Sequence, residues 1–265
     1  MHFYYREATA LYRLPVAGGA PEKLADLPTT LAGPTVLGPQ HVFFVADTEA
    51  YRVAKTGGTP EPLGTIVNPG QISVATDGTA AYVAAYVDPN IELRRANGTV
   101  QLLTSLPAVD GVTYLNADPN HVYWFTATAA VRRVSTAGGT AEDFADSVTE
   151  QVANRFGTGL AVGADDIVWS TLYQSFPGGR VFARAKAGGE RRELSRTGTP
   201  TGVSIHDGIA YVAMEGPGDH RIVALSLADG SRTVIGCVED LGSITATSAG
   251  VFASSGDQTL LFPLN

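Results

Sequence analysis

The sequence predicts an all-β chain built as a β-propeller, and three observations carry that prediction. Units of about 35 to 46 residues recur from end to end, each holds about four short β-like runs, and most carry a glycine turn at a fixed place. One such unit is too small to bury both of its faces, so successive units must stack. The stretch HVYWFTATAAVRRVSTAGGTAEDFA, His121 to Ala145, is the clearest copy, and residues 1–265 are read as one domain.

Within each unit the elements follow in a fixed order. A first strand, rich in small and β-branched residues and preceded by a glycine (Gly33, Gly70, Gly111, Gly159, Gly202, Gly242), suits the crowded innermost position of a blade. The second strand is a run of aromatic and β-branched residues, such as His41–Phe44, His121–Trp124 and Asp166–Trp169. The third alternates with period two (ALYRLPV, AYRVAKT, AVRRVST), the mark of a sheet with two different faces. It ends in a glycine turn, Gly18–Gly19, Gly57–Gly58, Asn97–Gly98, Gly138–Gly139, Gly188–Gly189 or Asp229–Gly230, which supplies the positive φ a tight hairpin needs. A fourth strand follows at once. The tally is six first, seven second, seven third and six fourth strands. Six blades are favoured, with the first strand near Ser243–Thr247 completing a blade begun by the N-terminal strands; the alternative is seven blades, two of them incomplete. Six blades make the hairpins at 2–16 and 251–265 compete for one slot. They therefore predict a homodimer by terminal hairpin exchange, whereas seven predict a monomer. Only at 145–159 does the pattern allow a short helix.

Composition narrows the function classes. A net charge of −8, without basic runs, argues against a nucleic-acid partner. No segment of 18 apolar residues offers a membrane span. Cys237 stands alone, so no internal disulfide forms, and a small buried residue in a strand is expected there. The compartment stays open: the chain starts without a signal pattern, and a secreted or periplasmic place would require a segment upstream of Met1.

The units VYWFTATAAVRRVSTAGGTAEDFA and FFVADTEAYRVAKTGGTPEPLG resemble the repeats of bacterial, especially myxobacterial, propeller proteins. They are more distantly similar to the YWTD propellers of the low-density lipoprotein receptor; the Tyr123–Trp124 pair is kept, and Phe125 and Thr126 replace the Thr–Asp. The resemblance implies a six-bladed propeller, often secreted or envelope-associated. Likeness to virginiamycin lyase-type and lactonase-type propellers is confined to fold, and fold does not carry function.

Catalytic signatures are missing from the sequence: it has no G-x-S-x-G, no H-E-x-x-H, no P-loop and no Cys-x-x-Cys. His2, His41 and His121 share one repeat position and read as blade-turn residues, as does His206; Asp77, Asp118, Asp165 and Asp207 sit where a side chain can close an Asx turn. Position says more than motif. Length variation gathers in the connections between second and third strands and between one unit and the next, which emerge on one face. That face carries the candidate ligand-binding residues Tyr86, Asp88, Asn154, Arg155, Phe156, Tyr173, Phe176, Arg180, Glu215 and His220, together with Asn90 and Gln174. The leading expectation is a binding or interaction scaffold for a small molecule, glycan or protein, without cofactor. The alternative is a metal-dependent lyase or lactonase-like hydrolase with a divalent cation such as calcium. Its oxygen and nitrogen ligands would come from Glu215, Asp219 and His220, with Asp110, Glu239 and Asp240 in neighbouring connections.

Overall fold

In a computed structural model of the protein, residues 2–7, 9–27, 34–66, 72–145, 155–173, 178–196, 198–216, 219–238, 242–255 and 258–264 are described. They form seven antiparallel sheets in which every strand pairs only with its neighbours in sequence. The first sheet has three strands, β1 (His2–Glu7), β2 (Ala10–Pro15) and β3 (Glu22–Asp26). Five four-stranded sheets follow. They are β4 (Val36–Leu37), β5 (His41–Ala46), β6 (Glu49–Ala54) and β7 (Glu61–Thr65); then β8 (Ile72–Thr76), β9 (Ala81–Val87), β10 (Asn90–Ala96) and β11 (Val100–Pro107). The fourth sheet comprises β12 (Thr113–Ala117), β13 (His121–Phe125), β14 (Val131–Ser135) and β15 (Glu142–Ala145). The fifth comprises β16 (Arg155–Val162), β17 (Asp166–Tyr173), β18 (Gly179–Ala185) and β19 (Arg192–Ser195), and the sixth β20 (Thr199–His206), β21 (Ile209–Gly216), β22 (Asp219–Ser226) and β23 (Arg232–Val238). The last sheet is again three-stranded, β24 (Ile244–Thr247), β25 (Gly250–Ser255) and β26 (Gln258–Phe262).

Seven blades therefore replace the six favoured from the sequence, and the alternative, two incomplete blades included, is the one that fits. The reason is the pairing of β24. Ile244 to Thr247 face Ala253 to Gly250 of β25 across a short turn. An inner strand has one partner in its own blade, so β25 excludes β1. Each terminal hairpin has its own sheet, which removes the ground for expecting hairpin exchange between two copies.

The described chain falls into two compact units, Met1–Tyr123 with Arg133–Glu142, and Trp124–Arg132 with Asp143–Asn265. In the first, the inner strands β4, β8 and β12 pack in succession; in the second, β16, β20 and β24 do the same. Second strands read as unbroken apolar runs because both of their faces are covered. Val42, Phe44 and Ala46 of β5 pack with Leu11 and Leu24 of the first sheet, while Phe43 and Val45 of the same strand pack with Val74, Val83 and Ala85 of the third. The sixth sheet repeats this, with Val212 and Met214 against Val168 and Val181, and Tyr211 and Ala213 against Ile244, Val251 and Ala253.

The glycine pairs have the positive φ expected of them, and they also join blades. Gly57, at φ +91°, brings its Cα so close to the first sheet that a Cβ would lie 3.1 Å from the Leu24 carbonyl, and the Gly58 N–H donates to that carbonyl at 3.0 Å. Gly138 and Gly139 do the same at the Leu103 carbonyl. Outer-strand pairings in five sheets carry a bulge, for example between Leu11 and Tyr12 and between Ala50 and Tyr51, which twists the edge away from in-register pairing with another chain.

Two local expectations change. Cys237 lies on a strand but is exposed, because it sits on the outer strand β23. Arg155 and Phe156 begin β16 rather than ending a helix; residues 146–154 lie outside those described, and the described helix is a single 3-10 turn, Ala108–Asp110. Among the described residues no helix is long and apolar enough to cross a membrane.

Candidate functional site

The turn aspartates, first, belong to the scaffold. Asp77 Oδ1 accepts the N–H groups of Thr79 and Ala80 at 2.7 and 2.9 Å, and its Oδ2 accepts the Tyr82 hydroxyl at 2.7 Å. Burial opposes its charge, but these donors outweigh burial and hold the carboxyl below its ordinary range. Asp118 repeats the arrangement with Asn120, His121 and Tyr123. Burial, then the Asp118 charge, push the Tyr123 hydroxyl up to about 12. His2, His41 and His121 open β1, β5 and β13, each ring against the aromatic residue two positions on.

The candidate ligand-binding residues lie mostly on strands, not in irregular loops. In the second unit, Arg155 faces Tyr173 across β16 and β17, Arg180 faces Thr171, and Glu215 is paired with both Thr199 and His220. Glu215 and Gly216 pair with His220 and Asp219, so the β21–β22 pairing extends into EGPGDHR from both sides. Against six residues in β5 and five in β13, strands β16, β17, β20, β21 and β22 have eight each. Starting points next to the first turn are unchanged, so the added residues all extend one strand end. Close packing fixes this end: the Gly179 N–H donates to the Gly198 carbonyl at 2.6 Å, and a Cβ on Gly179 would lie 2.2 Å from Pro200 Cδ.

Charge at this end is partly committed. Arg180 Nη1 lies 3.4 Å from Glu193 Oε2, and Arg196 pairs with the other oxygen of the same carboxylate. Glu215 and His220 are cross-strand neighbours, the one part of the proposed ligand triad that can be placed by side chain. Asn154, Gln174, Phe176, Glu239 and Asp240 lie outside the described residues, as do the side chains of Arg155, Phe156, Tyr173 and Asp219. Among the described residues no three His, Cys, Asp or Glu side chains are grouped to hold a metal.

In the first unit the corresponding strand end carries Tyr86, which is 40 % exposed and donates its hydroxyl to Asp88 Oδ1 at 3.0 Å. That bond raises the Tyr86 hydroxyl above its ordinary range. The Ala108 N–H donates to the Pro89 carbonyl at 3.2 Å, tying the connection that leads into β12 to the β9–β10 hairpin. Tyr114 follows on β12, 47 % exposed and at φ +50°, a conformation rare for a bulky side chain. The sequence reading passed over Tyr114; the available signal was an aromatic residue on an inner strand where small residues are the rule. At the opposite strand ends of the first unit a shallow groove of about 480 Å³ runs between Lys23–Asp26 and Gly58–Pro60, and no candidate residue lines it.

No protein-family model and no curated protein sequence matches the chain. Solved structures do. A chain of a nidogen/laminin complex aligns with a TM-score of 0.59 at 16 % identity, over 92 % of this chain and 97 % of that one. An oligogalacturonate lyase in complex with manganese aligns with a TM-score of 0.63 at 12 % identity, over 87 % and 71 %. The Pan2 WD40 domain of Neurospora crassa gives 0.60 at 13 %, over 99 % and 90 %. At these identities the likeness is one of fold: the chain is similar to β-propellers that include binding domains and a lyase. The resemblance to myxobacterial repeats gains no support from any of these matches.

Proposed function

We propose that the chain, acting as one domain, is a binding module that uses the connections at the lengthened strand ends. The observation that carries this reading is the one-sided growth of the fifth and sixth sheets, in which five eight-residue strands add all their extra length at the same end. The first added residues, Thr171 and Met214, are buried, but the strands run on past them; extra hairpin length costs backbone entropy, so its confinement to one end points to use. Arg155, Phe156, Tyr173, Phe176, Arg180, Glu215 and His220 are the contacts proposed there, and Tyr86 and Asp88 those of the first unit. Asn154 belongs with the first group by sequence. The ligand is a small molecule, glycan or protein.

The lyase or lactonase alternative needs a third ligand beside Glu215 and His220, and the described side chains offer none. A net charge of −8 also repels polyanionic substrates. Metal analysis of purified protein, with thermal shifts on adding calcium, magnesium or zinc, separates the two classes. For the binding reading, wild type and the Arg155→Ala, Tyr173→Ala, Phe176→Ala triple variant are compared on a glycan array and against a small-molecule thermal-shift panel. The variant should lose the wild-type ligand while melting close to wild type, as surface substitutions do. Retention of that ligand by the triple variant overturns the assignment.

A further inference from the structure

The turn between β10 and β11 stands apart from the other turns that lead into a fourth strand. Four of those carry Gly–Gly and one carries Asp229–Gly230; here the pair is Asn97–Gly98, the only Asn–Gly step in the sequence. Gly57 and Gly138 press against a neighbouring carbonyl, but a Cβ on Gly98, at φ +77°, would meet nothing within 4 Å. Asn97 and Gly98 are both exposed. The Asn97 backbone N–H donates to the Thr99 carbonyl at 3.0 Å, while neither the Asn97 side-chain amide nor the Gly98 N–H has a hydrogen-bond partner among the described residues. A side-chain amide one residue before an unhindered backbone nitrogen is an electrophile beside a nucleophile, and glycine, lacking a Cβ, lets the two close into a five-membered ring.

The chain contains its own controls. Four Asp–Gly steps have the atoms to cyclise in the same way, at Asp77, Asp110, Asp207 and Asp229. In three of them the glycine N–H is held: Gly78 donates to Thr76 Oγ1 at 2.9 Å, Gly111 to the Ala108 carbonyl at 3.2 Å and Gly230 to the Ser226 carbonyl at 3.0 Å. An amide so held must break that bond before it turns toward the side chain. The carboxylates are engaged as well: Asp77 accepts from Thr79, Ala80 and Tyr82, Asp229 accepts the Ser231 N–H, and Asp207 lies 3.4 Å from His206 Nε2. An ionised carboxylate is also a weaker electrophile than an amide. At Asn97 none of these restraints operates. The turn is not isolated from the fold, since a Cβ on Gly64 of β7 would lie 2.5 Å from Val100 Cγ2 at the start of β11.

We infer that Asn97 is a site of spontaneous deamidation. The Gly98 nitrogen loses its proton and attacks the Asn97 amide carbon; the new N–C bond forms as the bond to the side-chain nitrogen breaks, and ammonia leaves. Water then opens the succinimide at either carbonyl, giving aspartate or isoaspartate. Either product adds a negative charge to the −8 of the chain, and isoaspartate also inserts a methylene into the backbone of a turn closed by the Ala96–Val100 pair. The inference is independent of the binding reading. The test incubates the folded full chain in mildly alkaline buffer, beside a sample in urea, and follows both by isoelectric focusing and by mass spectrometry of the proteolytic peptides. The folded wild type should gain one acidic band that comigrates with the Asn97→Asp variant, with isoaspartate at position 97. Asn97→Gln, whose longer side chain would need a larger ring, should lose that band while melting close to wild type. Asp77 and Asp229 should isomerise in urea and not in the folded chain. A folded wild type that gains no band, conversion of Asn97 in urea alone, or an acidic band that persists in Asn97→Gln overturns the inference. Isomerisation of Asp77 or Asp229 in the folded chain as fast as the conversion of Asn97 removes the structural argument and overturns it equally.

Discussion

At the scale of single residues, the same residue type serves two purposes in this chain, and surroundings decide which. Asp77 and Asp118 are surrounded by donors from their own turns and by a fully buried tyrosine, which makes them part of the fold, whereas Asp88 faces an exposed tyrosine. Replacing Asp77 by alanine removes bonds to a charged acceptor and should cost about 1 to 3 kcal/mol in urea unfolding at pH 7. Asp77→Asn keeps an acceptor and should cost less. The charge has its own signature in pH. Because the folded carboxyl lies below its unfolded value near 4, its contribution is complete above about pH 4 and disappears as pH falls through the lower folded value. Unfolding free energy should therefore fall less between pH 7 and pH 3 in Asp77→Asn than in wild type. Equal acid slopes in the two proteins would assign the acid sensitivity to other groups.

At the scale of elements, the glycine turn and the arginine–glutamate pair are two repeated devices of unequal weight. Arg13–Glu22, Arg52–Glu61 and Arg133–Glu142 all join a third strand to a fourth nine residues on. Their glutamates are more than half exposed, so water and salt screen the pairs and each contributes at most about 1 kcal/mol. Gly138 combines φ +89° with a 3.3 Å approach to the Leu103 carbonyl, so a methyl group there strains the turn and pushes apart the hydrogen bond beside it. Gly138→Ala should cost roughly 1 to 3 kcal/mol and Glu142→Gln less than about 1 kcal/mol, both read from denaturation midpoints. A larger loss in Glu142→Gln would reverse this ranking. The glycine turns were legible in the sequence because Gly–Gly after an alternating run has one common use. The lengthened hairpins were not. Gly216, Pro217 and Gly218 look like an irregular loop, yet β21 and β22 pair from Ile209–Ser226 to Gly216–Asp219, and only the register reveals it.

At the scale of the whole molecule, the number of strands of each kind was readable and the number of blades was not. Repeat periodicity places the strands, but it cannot say whether Ile244–Thr247 pairs with the hairpin that follows it or with the one at the N-terminus, since both have the same pattern. Chain connectivity decides for the nearer partner: the turn to β25 is short, whereas closure onto β1 spans most of the sequence and costs more entropy. The consequence can be tested at the C-terminus. Val251 and Ala253 are fully buried, and with Leu260 and Phe262 they cover Tyr211, Ala213 and Ile222 of the sixth sheet. Ending the chain at Ala249 removes that cover and leaves β24 without a partner. A fully buried side chain such as Val251 contributes about 1.5 to 3 kcal/mol and the partly buried Leu260 and Phe262 less, so the loss is a large fraction of a typical domain's stability. The truncated chain should melt far below the full chain or fail to fold, and amides of β21 and β22 should exchange rapidly with deuterium. If β25 and β26 were a dispensable extra hairpin, as six blades require, the truncated chain would keep its melting temperature and its protected amides. That outcome would return the count to six.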